Sequence, residues 1–263
     1  MSKNPLFKRI LVTNDDGINA SGIKSLLKIA KSLSDDIWVV APLSEKSGAG
    51  HSLTLSEPMR IKKIADKKYG IQGTPTDCVM LALNHIMKNH TPTLVLSGVN
   101  RGFNMADDIT YSGTIAAAME GTIAGIPSIA LSQALNKGQK QVTWDIPEKH
   151  GPKLIEKLVE NGWPKGVLIN VNFPPVELKD VKGVRVTKQG CRNLAELGIE
   201  ERHDMRGKPY YWFKGGRSAG IPEEGTDMKA IFEGWISVTP LHLELTHFET
   251  KISLEKVINE DLI

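Results

Sequence analysis

The sequence has few cysteines and no long apolar run. Its two cysteines, Cys78 and Cys191, lie far apart in a chain of 263 residues, without the short paired spacing that indicates a disulfide framework or a thiol zinc site. No stretch approaches the roughly 18 consecutive apolar residues that span a bilayer. Residues 1–9 are polar and basic, and the apolar run that follows them is too short for a secretory signal. We therefore expect a cytoplasmic protein with no membrane partner.

An excess of charge of one sign is also absent. Lys and Arg number 33 and Asp and Glu number 30, which leaves a formal charge of +3. A dedicated binder of duplex DNA carries a concentrated basic surface, so duplex nucleic acid is not an expected partner. The hydrophobic fraction of 40% and the charged fraction of 24% are ordinary for a globular protein and argue against disorder.

The length of the chain and its uninterrupted composition indicate one domain. Domains have roughly 100–200 residues each, and we find no repeat, low-complexity tract or linker that would separate two units. We predict a single domain over residues 1–263, with a core of about 8–175 and a C-terminal extension of about 180–263 that serves oligomerisation.

Short apolar runs alternate with helical patterns over most of the predicted core, which is typical of βα units in a parallel sheet. We therefore predict an α/β fold of three layers, in which a mostly parallel sheet with a Rossmann-like core is flanked by helices. The predicted strands are 10–13, 37–40, 93–96, 128–131 and 167–169, with a less legible strand region at 53–64. The predicted helices are 23–33, one that opens at Thr74, 114–124, 152–160 and 252–258.

The helix that opens at Thr74 has a clear start signal. Thr74 is a predicted N-cap, Pro75 occupies the first helical position, and Asp77 stands where an acidic capping partner would lie.

The C-terminal part of the sequence has a different texture. Residues 180–235 carry many glycines, charges and aromatic side chains with weak periodicity, which favours hairpins that lie over the core or reach a neighbouring subunit. A further strand is predicted from Ile236 to Leu245, interrupted by Pro240.

Polar residues follow the first predicted strand directly, as Asn14, Asp15, Asp16 and Gly17. Ligands of parallel α/β sheets bind outside the carboxyl ends of the strands. Two adjacent carboxylates repel each other, an arrangement that favours a bound divalent cation or a shared proton. A plain turn with a helix cap explains the local pattern equally well.

A second cluster precedes the predicted helix at 114–124. Ser112, Gly113 and Thr114 stand at its start, where unpaired backbone N–H groups and the positive end of the helix dipole favour an anion such as phosphate. Simple Ser/Thr capping is the alternative. An anion site and a carboxylate pair at one edge of the sheet together favour metal-assisted phosphoryl chemistry.

Two neutral side chains complete the predicted site. Ser47, in the loop after the second strand, and Asn100, after the strand at 93–96, can supply oxygen ligands to a hard ion without adding negative charge. His51 lies in the same loop as Ser47, but a single loop histidine is more often structural or solvated, and we leave it outside the predicted site.

Several sequence motifs closely resemble those of the SurE (survival protein E) family of nucleotidases, and they occur in the family's order. The matching segments are Thr13–Ile18, Ala41-Pro42 followed by Ser47-Gly48, Gly73–Cys78, Ser97–Gly102 and Tyr111–Gly121. Weaker likeness extends to residues 225–227 and 236–241.

The resemblance implies a SurE-like phosphatase that removes phosphate from nucleoside 5′- and 3′-monophosphates and, in some members, trims short-chain polyphosphate. It implies one divalent cation per subunit, Mg²⁺ or Mn²⁺, held by Asp15, Asp16, Ser47 and Asn100. It also implies a homodimer or homotetramer formed through an exchanged C-terminal segment. In this interpretation Asp15 and Asp16 are the catalytic residues, and the phosphate-binding residues are Asn14, Ser112, Gly113 and Thr114.

Other functions fit the residues less well. An aspartyl-phosphate phosphatase needs an Asp two positions before Asp16, where this chain has Asn14. The glycines at 48 and 50 lack the third glycine of a dinucleotide fingerprint. A non-catalytic metal and nucleotide sensor on the same fold stays open as the alternative.

Overall fold

A computed structural model describes residues 5–136, 142–192, 198–214 and 222–258. The strands in these ranges are β1 (Ile10–Thr13), β2 (Ile37–Pro42), β3 (Ile61–Ala65), β4 (Lys68–Ile71), β5 (Leu94–Arg101), β6 (Ser128–Gln133), β7 (Val167–Phe173), β8 (Val184–Val186), β9 (Gly198–His203), β10 (Pro209–Lys214) and β11 (Ile236–His242). The α-helices are α1 (Ser21–Leu33), α2 (Pro75–Leu81), α3 (Gly113–Ile123), α4 (Asp145–Asn161), α5 (Asp227–Phe232) and α6 (Phe248–Glu255). A π-helix at Ala82–Ile86 follows α2, and 3₁₀ helices lie at Pro5–Phe7, Ala106–Tyr111 and Leu178–Asp180.

Nine of these strands form one sheet in the order β3-β4-β2-β1-β5-β6-β7-β11-β8. The pairs from β4 through β2, β1, β5 and β6 to β7 are all parallel, and so is the pair of β8 with β11. Only β3 with β4 and β7 with β11 run antiparallel. The prediction of an α/β fold with a mostly parallel sheet is confirmed.

Alternating side chains of β1 divide the core into two layers. Ile10 and Val12 belong to the apolar cluster that contains Leu26 of α1 and Ile155 of α4. Leu11 points to the other face of the sheet, into a cluster that includes residues of α2 and α3. Leu26 is fully buried, and its replacement by Ala is expected to cost roughly 2–5 kcal/mol of stability.

The start of α2 follows its sequence signal. Thr74 accepts a hydrogen bond from the Asp77 N–H at 3.1 Å, and Asp77 accepts one from the Thr74 N–H at 2.8 Å. The predicted capping box with Pro75 in the first turn is confirmed.

The start of α4 was predicted wrongly. A helix beginning at Pro152 was expected, but α4 begins at Asp145 and carries Pro152 inside it. Tertiary packing accounts for the difference, because Ile146 in the first turn is buried in the core and Gly151 lies against Ile29 of α1. These contacts hold the additional turns although Pro152 removes one helical hydrogen bond.

Pro240 does not interrupt the last strand of the sheet, contrary to prediction. Successive residues of a strand direct their backbone hydrogen bonds to opposite neighbours. The Leu243 N–H bonds on the β7 side, to the Gly166 carbonyl, whereas the backbone groups of Ile236 and Val238 bond on the β8 side. Pro240 lies two residues after Val238 and therefore has the same orientation, so its nitrogen points to the β8 side. Because β8 pairs with β11 only as far as Val238, no ladder bond is lost there.

The remaining C-terminal predictions have mixed outcomes. Strands β9 and β10 form a separate antiparallel hairpin, as expected. The aromatic side chains at 210–213 are exposed and do not lie over the core, so of the two expected placements the contact with a neighbouring subunit stays a prediction. Residues 193–197 and 215–221 of this segment lie outside the described residues. Helix α6 begins at Phe248, earlier than predicted, where His247 accepts a hydrogen bond from the Thr250 N–H. No helix in the described ranges is long and apolar enough to cross a membrane.

Candidate active site

The site lies where the order of the strands in the sheet reverses. The chain passes from β1 to β2 on one side and later places β5 on the other side of β1, so the crevice at the carboxyl ends of β1 and β5 is a topological switch point. Thr13 pairs with Ser97, which brings the residues after β1 beside the end of β5. The Arg101 N–H donates a hydrogen bond to Asp16 Oδ2 at 3.2 Å.

The loop after β2 is attached to the same crevice. The Lys46 N–H donates to the backbone carbonyl of Asp15 at 2.8 Å, so Ser47 is one residue from a direct contact with the acidic turn. The Ser47 hydroxyl donates to Glu45 Oε1 at 2.9 Å. The turn itself requires glycine at position 17, because φ is +101° there.

The start of α3 packs directly on Asp15. Thr114 Oγ1 donates to Asp15 Oδ1 at 2.6 Å. A Cβ atom on Gly113 would lie 2.8 Å from the Cβ atom of Asp15, so this close approach requires glycine. The Ser112 hydroxyl caps the helix by accepting from the Ile115 N–H at 3.1 Å. The N–H of Gly113 has no acceptor among the described residues and is available to an anion.

The carboxylate pair is electrostatically strained. Asp15 is 4% exposed, and burial raises its pKa above 3.8 although hydrogen bonds from Thr114 act in the opposite direction. Burial, followed by the charge of Asp15, raises the pKa of Asp16 from 3.8 to about 6. Glu45 adds a further negative charge that acts on both residues. A bound cation would relieve this repulsion.

The available oxygen atoms fit a hard divalent cation. Asn14 donates through Nδ2 to the Gly17 carbonyl, and its Oδ1 is buried without a partner in the described residues. Asn100 donates through Nδ2 to the Gly102 carbonyl, which leaves its carbonyl oxygen for an ion. Two carboxylates with neutral amide and hydroxyl oxygens are the ligands that Mg²⁺ and Mn²⁺ prefer.

A site rich in His or Cys is not found in the described part of the chain, where no three His, Cys, Asp or Glu side chains are grouped to hold a metal ion. Any ion at the acidic pair therefore depends on neutral oxygens such as those of Ser47 and Asn100. Ser47 lies in an exposed loop, whereas Asn100 lies in strand β5 and is 9% exposed. Ser47 therefore lies on the solvent side of the crevice and Asn100 on the side of the sheet.

The predicted residues occupy one edge of the sheet, but their contacts differ in kind. Asp15 contacts Thr114 directly, whereas Ser47 and Asn100 are joined to the acidic turn through the backbone of the residues next to them. Another cavity, between residues 133–136 and 175–180, borders none of the predicted site residues.

Sequence reasoning missed two features of this region. Glu45 was not singled out, although it lies two positions before Ser47. His51 was left outside the site, yet its Nε2 lies 2.6 Å from Glu120 Oε1 of α3. No local sequence pattern links His51 with Glu120, because they lie 69 positions apart in the chain.

The fold and the site together define an α/β protein with a pair of adjacent carboxylates at the switch point of its sheet. The sequence model of the family described as Survival protein SurE matches residues 10–196, and the chain belongs to this family.

Similar proteins cover nearly the whole chain. A protein of Parvibaculum lavamentivorans named 5′-nucleotidase SurE is 54% identical over 251 residues, which are 95% of this chain and 91% of the relative. A protein of the same name from Caulobacter vibrioides is 50% identical over 95% of this chain and 96% of the relative. The crystal structure of the SurE protein from Aquifex aeolicus superposes with a TM-score of 0.82 at 41% identity, over 95% of this chain and 99% of that one.

Proposed function

We propose that this protein is a divalent-metal-dependent phosphomonoesterase. It hydrolyses nucleoside 5′-monophosphates, and also 3′-monophosphates, to nucleoside and inorganic phosphate, and it trims short-chain polyphosphate. Relatives with the name 5′-nucleotidase SurE support the nucleotidase activity. The observation that carries the metal-dependent chemistry is the pair of adjacent carboxylates. Asp15 is buried and hydrogen-bonded to Thr114 at the start of α3, and Asp16 beside it is partly buried.

The acidic turn holds the cation in this proposal. Asp15, Asp16, Ser47 and Asn100 bind one Mg²⁺ or Mn²⁺ per subunit. Such an ion, when bound, polarises phosphate oxygens and lowers the pKa of water. Thr114 keeps the Asp15 carboxylate in place through its 2.6 Å hydrogen bond, which is the usual role of a group hydrogen-bonded to a metal ligand.

The start of α3 receives the phosphate. The free N–H of Gly113 donates to a phosphate oxygen, and the positive end of the helix dipole favours the anion. Ser112 and Thr114 border the same position. Asn14 completes the phosphate-binding set, because its unpartnered Oδ1 can accept a hydrogen bond from water or from a protonated phosphate oxygen.

Asp15 and Asp16 are the catalytic residues of the proposal. A carboxylate of the pair accepts, through water, the proton that the attacking water loses.

Assembly and location are also part of the proposal. Exposed aromatic side chains at 210–213 and exposed apolar side chains of α6 support a homodimer or homotetramer, since apolar surface of this kind usually covers an interface. Cys78 and Cys191 are both free thiols, which is consistent with a reducing cytoplasm.

Phosphate release tests the proposal. The purified protein is assayed with the four nucleoside 5′-monophosphates, their 3′-isomers and short-chain polyphosphate, with Mg²⁺ or Mn²⁺ and with chelator. We expect inorganic phosphate in the presence of metal and none with chelator. Nucleotide binding without phosphate release would refute the enzyme and favour a sensor.

A further inference from the structure

A cavity of about 460 Å³ runs along α3. Ser112, Ala116 and Met119 line it, and their spacing of four and three residues puts them on one face of the helix. The end of β11 and the residues after it also line the cavity, through Pro240, Leu241, His242, Glu244 and Leu245, and Ile109 contributes a buried apolar surface. The volume lies in the range of roughly 300–1,000 Å³ that is usual for pockets that bind small molecules.

The cavity lies beside the proposed phosphate position. Ser112 lines the cavity and directly precedes Gly113, which packs on Asp15. A phosphate bound by the Gly113 N–H would therefore lie next to the Ser112 side of this cavity. The leaving group of the substrate is the part of the molecule that the cavity can receive.

The rim carries a polar pair near the entrance. His51 lines the cavity, and its Nε2 lies 2.6 Å from Glu120 Oε1. The Gly50 N–H donates to the Tyr111 carbonyl at 3.1 Å, which attaches the loop of His51 to the segment before α3. The other ring nitrogen of His51 can donate to or accept from a sugar hydroxyl group, and the Glu120 carboxylate can accept from one.

The rest of the lining combines apolar and polar groups that suit a flat heterocycle. Ile109 and Met119 supply apolar surface, and a thioether makes favourable contacts with aromatic rings. Gln189, His242 and Glu244 add hydrogen-bonding groups at the edge. Gln189 is held by its Nε2, which donates to the Ala106 carbonyl at 3.1 Å.

We propose that this cavity binds the nucleoside part of the substrate, with the base against Ile109 and Met119 and the ribose beside His51 and Glu120. The inference rests on the proposed function and deepens it, because it assigns the preference for nucleotides over other phosphate esters to named side chains.

Substitution at position 119 tests the assignment. Met119→Trp places a larger side chain in the cavity and obstructs it. Met119→Ala removes the proposed contact between the thioether and the base and leaves the cavity open. Ile123→Trp is the matched control, because Ile123 lies one turn further along the same helix, is 59% exposed and does not line the cavity. The substrates are AMP and GMP against ribose 5-phosphate, which has the same phosphate and sugar but no base.

We expect Met119→Trp to lower kcat/KM for AMP and GMP at least tenfold relative to ribose 5-phosphate, and Met119→Ala to lower the same ratio about threefold. Ile123→Trp should keep the wild-type ratio. Equal losses with both kinds of substrate, or a wild-type protein with no preference for nucleotides over ribose 5-phosphate, would overturn the assignment.

Direct binding separates this inference from the proposed function. Adenosine and guanosine, which carry no phosphate, are titrated calorimetrically into chelator-treated protein. We expect binding to wild type and to Ile123→Trp, and at least tenfold weaker binding to Met119→Trp. If the wild type hydrolyses no nucleotide but binds nucleosides, and Met119→Trp alone weakens that binding, the proposed function is refuted and the assignment of the cavity to the nucleoside is supported. Wild type that binds neither nucleoside would overturn the cavity assignment.

Discussion

Replacing Asp16 with Asn should make the metal-free protein more stable and abolish its activity. In the wild type the Asp16 carboxylate is partly buried beside Asp15, and its pKa is raised to about 6 by burial and by that neighbouring charge. An amide at position 16 carries no charge and still offers an oxygen to the Arg101 N–H. The substitution therefore removes repulsion while the hydrogen bond is kept.

The magnitude follows from the pKa. A change from 3.8 to about 6, at about 1.4 kcal/mol per pKa unit, sets an upper limit of about 3 kcal/mol. Because Asp16 is partly exposed, solvent screening reduces the effect to about 1 kcal/mol. For a chain of this size that corresponds to an increase in Tm of about 2–4 °C.

The sign of the pH dependence follows as well. Between pH 3.8 and about 6 the native protein binds more protons at Asp16 than the unfolded chain does, so this group's contribution destabilises the fold as pH rises through that interval. The gain from Asp16→Asn should be present at pH 8 and absent at pH 3.5.

The assay is thermal unfolding at pH 8 with chelator and again with Mn²⁺. Wild type should gain about 2.7 kcal/mol at a Mn²⁺ concentration a hundredfold above Kd, and Asp16→Asn should gain almost nothing and release no phosphate. Asp66→Asn, an exposed Asp in the turn between β3 and β4, is the control. Lower stability of metal-free Asp16→Asn, or activity retained at saturating metal, would refute the reasoning.

Three further substitutions have defined outcomes. Gly113→Ala places a Cβ atom 2.8 Å from the Cβ of Asp15, so urea unfolding should show a loss of roughly 1–3 kcal/mol; an unchanged midpoint would contradict the close packing. Thr114→Val removes the donor to Asp15 and should weaken Mn²⁺ binding roughly 10- to 100-fold by calorimetry, whereas equal affinity would exclude a positioning role. Burial acts to raise the pKa of Asp77, but hydrogen bonds, chiefly from Thr54, lower it below 3.8, so its stabilising effect is complete above pH 3.8 and lost as pH falls through the native pKa. Asp77→Asn should therefore cost about 1–3 kcal/mol at pH 7 and lose less stability on acidification, and an acid transition identical to wild type would argue against this.

Elements with local signals were predicted well from the sequence. Strand β1 is a short apolar run between polar segments, and all four of its residues are buried. The start of α2 is encoded within four residues, from Thr74 to Asp77, and each of the expected hydrogen bonds forms. In both cases the interactions that define the element lie inside the window that a sequence pattern covers.

The two misread prolines show where local patterns fail. Pro152 resembles a helix start, but the buried contacts of Ile146 with the core extend α4 toward the N-terminus. Pro240 resembles a strand breaker, but it lies beyond the last residue at which β8 pairs with β11. Both outcomes depend on which element lies alongside, and a single proline carries no such information.

The candidate site was predictable in its residue types and not in its contacts. Adjacent carboxylates at a strand end, and Ser-Gly-Thr at a helix start, indicated a cation and an anion. The hydrogen bond between Thr114 and Asp15 joins residues 99 positions apart, and it exists only because α3 packs on the end of β1. The influence of Glu45 on the acidic pair depends in the same way on how the loop after β2 folds back.

Anomalous diffraction from crystals soaked in Mn²⁺ tests the central claim most directly. The account predicts one anomalous peak per chain, within about 2.5 Å of carboxylate oxygens of Asp15 and Asp16, the Ser47 hydroxyl and the Asn100 carbonyl oxygen. Absence of a peak at these four side chains, in crystals of a protein whose activity depends on Mn²⁺, would contradict it.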